Sequence, residues 1–460
     1  KESDKSILTQ VYSFGVKVNK LIDDPTDSLA TIKNAIGNIE RDTTGIENVM
    51  QAVSVAAEEH RDLRKIDRAT GEPKANVMII VVSDEAGDDV DKLDQTIQTC
   101  NKFQMPVYLV GVPAPFGRLE TKVKWVDPDP KFDQKPQWAI VSQGPESIYP
   151  ERLQLDFIGN FDEDLDMIDS GFGPFHLTRL SYETGGIYFA VHPNRTTRKV
   201  VNRGQTSTYS AHLQHFYDPK AMRRYRPDYV TLNTYKKRLM ENPSRAALVR
   251  AATFSMADQL NAPELRFTRL NEGQFVQSVN SAQQAAAILS PAINRLYDLL
   301  REGEEERPNE ISPRWQAGFD LAIGRTIAAK VRSETYNSML ALIKTKLKFD
   351  RPKDKATPQN NTWVLEPADT IQTGSQDAKL LAKAQMYLNR VVEDHPDTPW
   401  AMLAQRELQT PMGWKWTQDY TEPPAPRERT PNNNNNNNQP QVPKPRENAM
   451  PKTLRPPPRL

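Results

Sequence analysis

Val77-Met78-Ile79-Ile80-Val81-Val82-Ser83-Asp84-Glu85-Ala86-Gly87-Asp88-Asp89 is the stretch whose reading decides the fold. Six apolar, mostly β-branched residues, Val77 to Val82, run without alternation. Such a run suits a strand buried on both faces, as in a parallel sheet covered by helices. It opens into Ser83-Asp84-Glu85, which puts oxygen ligands at the carboxyl end of a strand, where α/β folds build their sites. Asp84 is therefore a candidate site residue. Asp88 and Asp89 read as turn or helix-cap residues.

The flanking sequence agrees with an α/β alternation. Upstream, Ile7–Phe14 and Val16–Ile22 read as short strands divided by Gly15. Leu29, Ile32, Ile36 and Ile39 recur at helical spacing after the turn chemistry of Asp23–Asp27. A second amphipathic helix is expected from about Ile46 to Leu63. Downstream, Leu93, Ile97 and Cys100 mark a helix, and Val107–Val112 a further continuous strand. This β-α-β order predicts a doubly wound, mostly parallel sheet. Between Pro113 and Pro174 the alternation stops in a proline-rich insertion too long for a plain loop. Phe175–Val191 then reads as a helix, a glycine stop at Gly185-Gly186, and a last strand.

These pieces in this order resemble a von Willebrand factor A (VWA) domain over roughly residues 1–195. The resemblance rests on Ser83-Asp84-Glu85, on Thr43-Thr44-Gly45-Ile46 opening a helix, on Val107–Val112, and on Glu183-Thr184-Gly185-Gly186-Ile187-Tyr188-Phe189. The insertion, with Val112–Arg118 and Trp125–Pro130, is similar to a planctomycete-type bacterial subfamily. The family binds a divalent cation at a metal-ion-dependent adhesion site, which implies Mg²⁺ or Mn²⁺ held by hard oxygen donors with a position open for a partner's carboxylate. By this resemblance Asp84 supplies one ligand and Thr44 or Thr43 another. The family's Asp-x-Ser-x-Ser motif is absent and Lys1 falls after its place. The resemblance thus implies an N-terminally truncated chain that lacks the central first strand and holds no cation tightly.

The remaining sequence is helical and then linker-like. Residues 196–350 read as a helical region, with a helix start at Ser312-Pro313. A long apolar stripe follows from Trp315 through Phe319, Ile323, Ile327 and Val331 to Ile343. Its simplest role is packing on the helix at Pro291–Arg301; a partner helix is the alternative. Residues 351–376 read as a polar linker. Residues 377–416 resemble a tetratricopeptide-type helical hairpin, which docks on the preceding region, with Trp414 and Trp416 as candidate contacts. Residues 417–460 form a Pro/Asn-rich tail containing Asn432–Asn438, expected to be disordered. His212, His215 and Asp218 have a spacing a metal could use, although structural roles are the simpler reading.

Composition narrows the function. With 60 basic and 59 acidic residues in 460, no global charge argues for nucleic acid or a membrane surface. No run approaches a membrane span. The single cysteine, Cys100, excludes an internal disulfide framework and reads as a buried structural thiol. Gly-x-Ser-x-Gly, a phosphate-binding glycine loop with lysine, His-Glu-x-x-His and paired cysteines are all missing. The expectation is a non-enzymatic scaffold that meets a carboxylate-bearing protein partner through a cation. The alternatives are an accessory subunit of a chelatase- or ATPase-type complex, and a hydrolase using carboxylates of the 113–173 insertion such as Asp127, Asp129 and Glu163. An adhesion-like domain favours an extracytoplasmic or cell-envelope location over a cytoplasmic one.

Overall fold

The computed structural model describes residues 7–40, 44–117, 120–127, 129–141, 144–155, 168–192, 213–254, 263–345, 348–350, 359–371, 374–422 and 455–456. It is a mixed α/β structure with a three-stranded parallel sheet. The chain opens with an antiparallel hairpin, β1 (Tyr12–Phe14) and β2 (Val18–Lys20). Helix α1 (Leu29–Gly37) starts at Ser28, whose hydroxyl accepts the Thr31 N–H, yet it buries none of its residues. Helix α2 (Val49–Glu59) buries Val49, Met50, Ala52, Val53 and Ala57. The helix expected from Ile46 thus begins three residues later, and residues 46–48 belong to the loop before it.

The decisive stretch forms β3 (Ile79–Ser83). Helix α3 (Leu93–Lys102) leads to β4 (Val107–Gly111), which pairs with β3 in parallel, Ile79 opposite Val107 and Ser83 opposite Gly111. An antiparallel hairpin follows inside the insertion, β5 (Thr121–Trp125) with β6 (Gln137–Val141). Helix α4 (Phe175–Glu183) then returns the chain to β7 (Tyr188–Ala190), parallel to β4. Helices α2, α3 and α4 pack Val53, Ile97, Leu177 and Leu180 onto Val81, Val107 and Leu109 on one face of this sheet.

The other face corrects the expectation of two-sided burial. Ile80 and Val82, which alternate with Val81, are 62% and 70% exposed, and Ile187, Phe189 and Val191 are exposed on the same side. Among the described residues the sheet is wound on one face only, and β3 lies at its edge. The apolar run carries side chains for two covered faces, but the described residues cover one.

The second half is built around one helix. Helices α5 (Pro219–Met222), α6 (Leu232–Glu241) and α7 (Pro243–Phe254) precede strand β8 (Arg266–Thr268). The long α8 (Glu272–Arg301) and α9 (Pro313–Thr345) follow. Helix α9 is surrounded by α7, α8, α10 (Ser375–Asp394) and α11 (Pro399–Gln409). The stripe from Trp315 to Ile343 is therefore interior to this chain. A Cβ at Gly324 would meet Leu388 of α10 at 2.9 Å, so glycine there lets the two helices approach closely.

The 351–376 segment is not merely a linker. Its Thr362–Ala368 form β9, the middle strand of an antiparallel sheet between β8 and β10 (Gly413–Asp419). Trp414 and Trp416 sit on β10 and donate their indole N–H groups to Arg332 and Met339 carbonyls of α9, each at 3.1 Å. Among the described residues no helix is long and apolar enough to cross a membrane.

The insertion packs onto the helical half. Phe116, Leu153, Leu155 and Ile168 enter the same core as Leu248, Phe319, Ile323 and Trp400. Phe116 meets Trp400 edge-on with ring centroids 4.8 Å apart. Buried charges bridge the same seam: Arg314 donates to Glu146 (2.9 Å) and Glu151 (2.6 Å), and Arg325 to the Leu155 carbonyl (2.8 Å).

Candidate functional site at the carboxyl end of the parallel sheet

Strand β3 ends at Ser83, and the loop 84–89 turns back over the start of α2. Gly87 makes that turn possible. Its φ is +84°, and a Cβ there would meet Val49 Cγ2 at 2.8 Å. Asp88 then ties the loop to the one before α2 from both sides. Its Oδ2 accepts the Glu47 N–H at 2.7 Å, and its own N–H donates to the Glu47 carbonyl at 2.8 Å. Asp89 is buried and accepts the Met50 and Gln51 N–H groups at 2.9 and 2.8 Å. It satisfies the orphan donors of α2 and meets the positive end of that helix. The cap expected of Asp89 thus serves a helix that precedes it in sequence.

These straps bring two expected ligands to neighbouring loops. Asp84 is exposed just beyond β3, and Thr44 lies in the loop before α2, where its hydroxyl accepts the Ile46 N–H at 3.3 Å. Thr43 falls outside the described residues. Glu85, quoted with Asp84 in the same acidic group, joins them, as does Glu47, which the sequence did not single out. The Ser83 hydroxyl lies 3.2 Å from Glu47 Oε2 and 3.0 Å from the Glu85 carbonyl. Glu85 is half-buried, and burial together with Glu47, Asp84 and Asp88 pushes its carboxyl up to about 7. The position of Glu47 before a helix carried no signal of its own, because the contact with Ser83 is tertiary.

The donors here are carboxylate and hydroxyl oxygens, the set that suits a hard divalent cation. Among the described residues no three acidic, histidine or cysteine side chains are arranged to hold a metal. Of the histidine set, His212 lies outside the described residues, and Asp218 caps α5 by accepting the Lys220 N–H at 2.8 Å. Cys100 is fully buried, and burial lifts its thiol to about 11, as for an unreactive structural cysteine.

The insertion carboxylates are engaged elsewhere. Asp127 is ion-paired with Arg455, Glu146 and Glu151 with Arg314, and Glu163 lies outside the described residues. No protein-family model, curated protein or solved structure matches this chain.

Proposed function

We propose that this protein is a non-enzymatic binding scaffold whose α/β part, similar to a VWA domain, contacts a partner's carboxylate through Mg²⁺ or Mn²⁺. The observation that carries this reading is the two-way backbone strap between Glu47 and Asp88. It sets the Thr44 loop beside the Asp84 loop at the carboxyl end of the parallel sheet. Asp84 and either Thr44 or Thr43 are the direct donors in this reading, while Glu47 and Glu85 supply surrounding negative charge. Few direct carboxylates and an open position suit cation-bridged capture of an acidic side chain. With few direct donors, the cation is held weakly.

Titrating the chain with Mn²⁺ under electron paramagnetic resonance tests this. One weak site is expected, and Asp84→Ala removes it while Asp91→Ala does not. Binding indifferent to Asp84→Ala, or tight binding of Mg²⁺ by this chain, contradicts the reading.

A further inference from the structure

The insertion holds a cluster of contacts apart from the parallel sheet, centred on Asp127. Asp127 lies two residues beyond the end of β5 and is 1% exposed. Its Oδ1 accepts the Asp129 N–H at 2.9 Å. A buried carboxylate needs a cation, and here the cation comes from the far end of the chain. Arg455 forks onto Asp127, Nε to Oδ2 at 2.8 Å and Nη2 to Oδ1 at 2.7 Å. The guanidinium lies over the Phe132 ring, 4.6 Å from its centroid. Gln137, the first residue of β6, donates its side-chain amide to the Arg455 carbonyl at 2.9 Å. Pro456 follows and biases Arg455 toward extended backbone.

The three contacts read different parts of one unit. Asp127 reads the planar charge, Phe132 the face of the guanidinium, and Gln137 the main chain. We propose that the β5–β6 hairpin is a receptor for an extended Arg-Pro segment, and that its resident ligand is this chain's own tail at Arg455. A pair that merely stabilised the fold has no need of a main-chain contact. Nor does it need to recruit an arginine 328 residues away in sequence. Arg455 acts as a latch, and an Arg-Pro segment from elsewhere must displace it.

Fluorescence anisotropy with a labelled synthetic peptide of residues 451–460 tests the latch on full-length protein. Arg455→Ala protein, with its own ligand gone, is expected to bind the peptide. Wild type should bind it on the order of a hundredfold more weakly, because the tethered tail competes at high effective concentration. Replacing Arg455 by lysine within the peptide should abolish binding, since the charge stays and the fork is lost. Phe132→Ala in the Arg455→Ala protein should weaken binding without touching the buried carboxylate. Equal binding by wild type and Arg455→Ala, no binding by either, or equal binding of the lysine peptide would each overturn the proposal.

Discussion

The guanidinium of Arg314 and the carboxylate of Glu151 meet at 2.6 Å, both buried, across 163 residues of sequence. Glu151 also accepts the Tyr235 hydroxyl at 2.7 Å, and Arg314 holds Glu146 at 2.9 Å. Both carboxylates in this knot pair with one cation. Arg314→Leu therefore leaves two carboxylates buried without it and should cost roughly 3–5 kcal/mol. Urea unfolding of the variant measures this. Adding Glu146→Gln and Glu151→Gln should restore part of the loss.

The start of α2 depends on residues that follow it. Asp89→Ala removes the acceptor for the Met50 and Gln51 N–H groups and should destabilise by about 1–2 kcal/mol. Gly87→Ala forces a side chain into a left-handed turn and against Val49, a further strain of about 1–3 kcal/mol. Both variants should lower the thermal midpoint, and Asp89→Asn should lose less than Asp89→Ala.

Two groups tilt stability with pH in opposite senses. Glu85 binds its proton more tightly folded than unfolded, up to about 7 against an ordinary 4.5. Its favourable contribution is present below pH 4.5 and is lost as pH rises through 7. His395 is the reverse, since burial lowers it from 6.5 to about 4. Its contribution is present above pH 6.5 and is lost as pH falls toward 4. Denaturation midpoints measured from pH 4 to 8 should show Glu85→Gln steepening the rise of stability with pH, and His395→Gln flattening it.

Among the described residues one side of the parallel sheet is uncovered, and this has a solution signature. Ile80, Val82 and Phe189 together make an apolar surface next to an open strand edge, the features that promote association. Ile80→Thr with Val82→Thr keeps β-branching while removing half of each side chain's apolar character. The double variant should bind less anilinonaphthalene sulfonate and scatter less light at high concentration, with little change in thermal midpoint.

Sequence reached the elements that local pattern controls. The continuous run ahead of Ser83 marks a strand, and Ser312-Pro313 marks the helix that begins at Pro313. What it missed depends on partners far away. Ile80 and Val82 carry strand chemistry, but their exposure is decided by what lies over them. Strand β9 reads as linker in the sequence because prolines punctuate 351–376, although Thr362-Trp363-Val364-Leu365 carries strand residues within it. Pro367 is tolerated because β8 pairs only with Thr362–Val364 and leaves it beyond that ladder. At the candidate site, Asp84 and Thr44 were visible as residue types beside secondary-structure ends. Glu47 was not, nor, in the insertion, was the arginine on Asp127, because no periodicity announces a contact between positions 127 and 455.

The seam between insertion and helices also sets a timetable for biosynthesis. Glu146 and Glu151 leave the ribosome well before Arg314, and the Leu155 carbonyl well before Arg325. Until α9 emerges, the insertion has neither its counter-charges nor its apolar bed. Completion of this part of the molecule must therefore wait until α9 has emerged, which disfavours independent maturation of the insertion from the amino end.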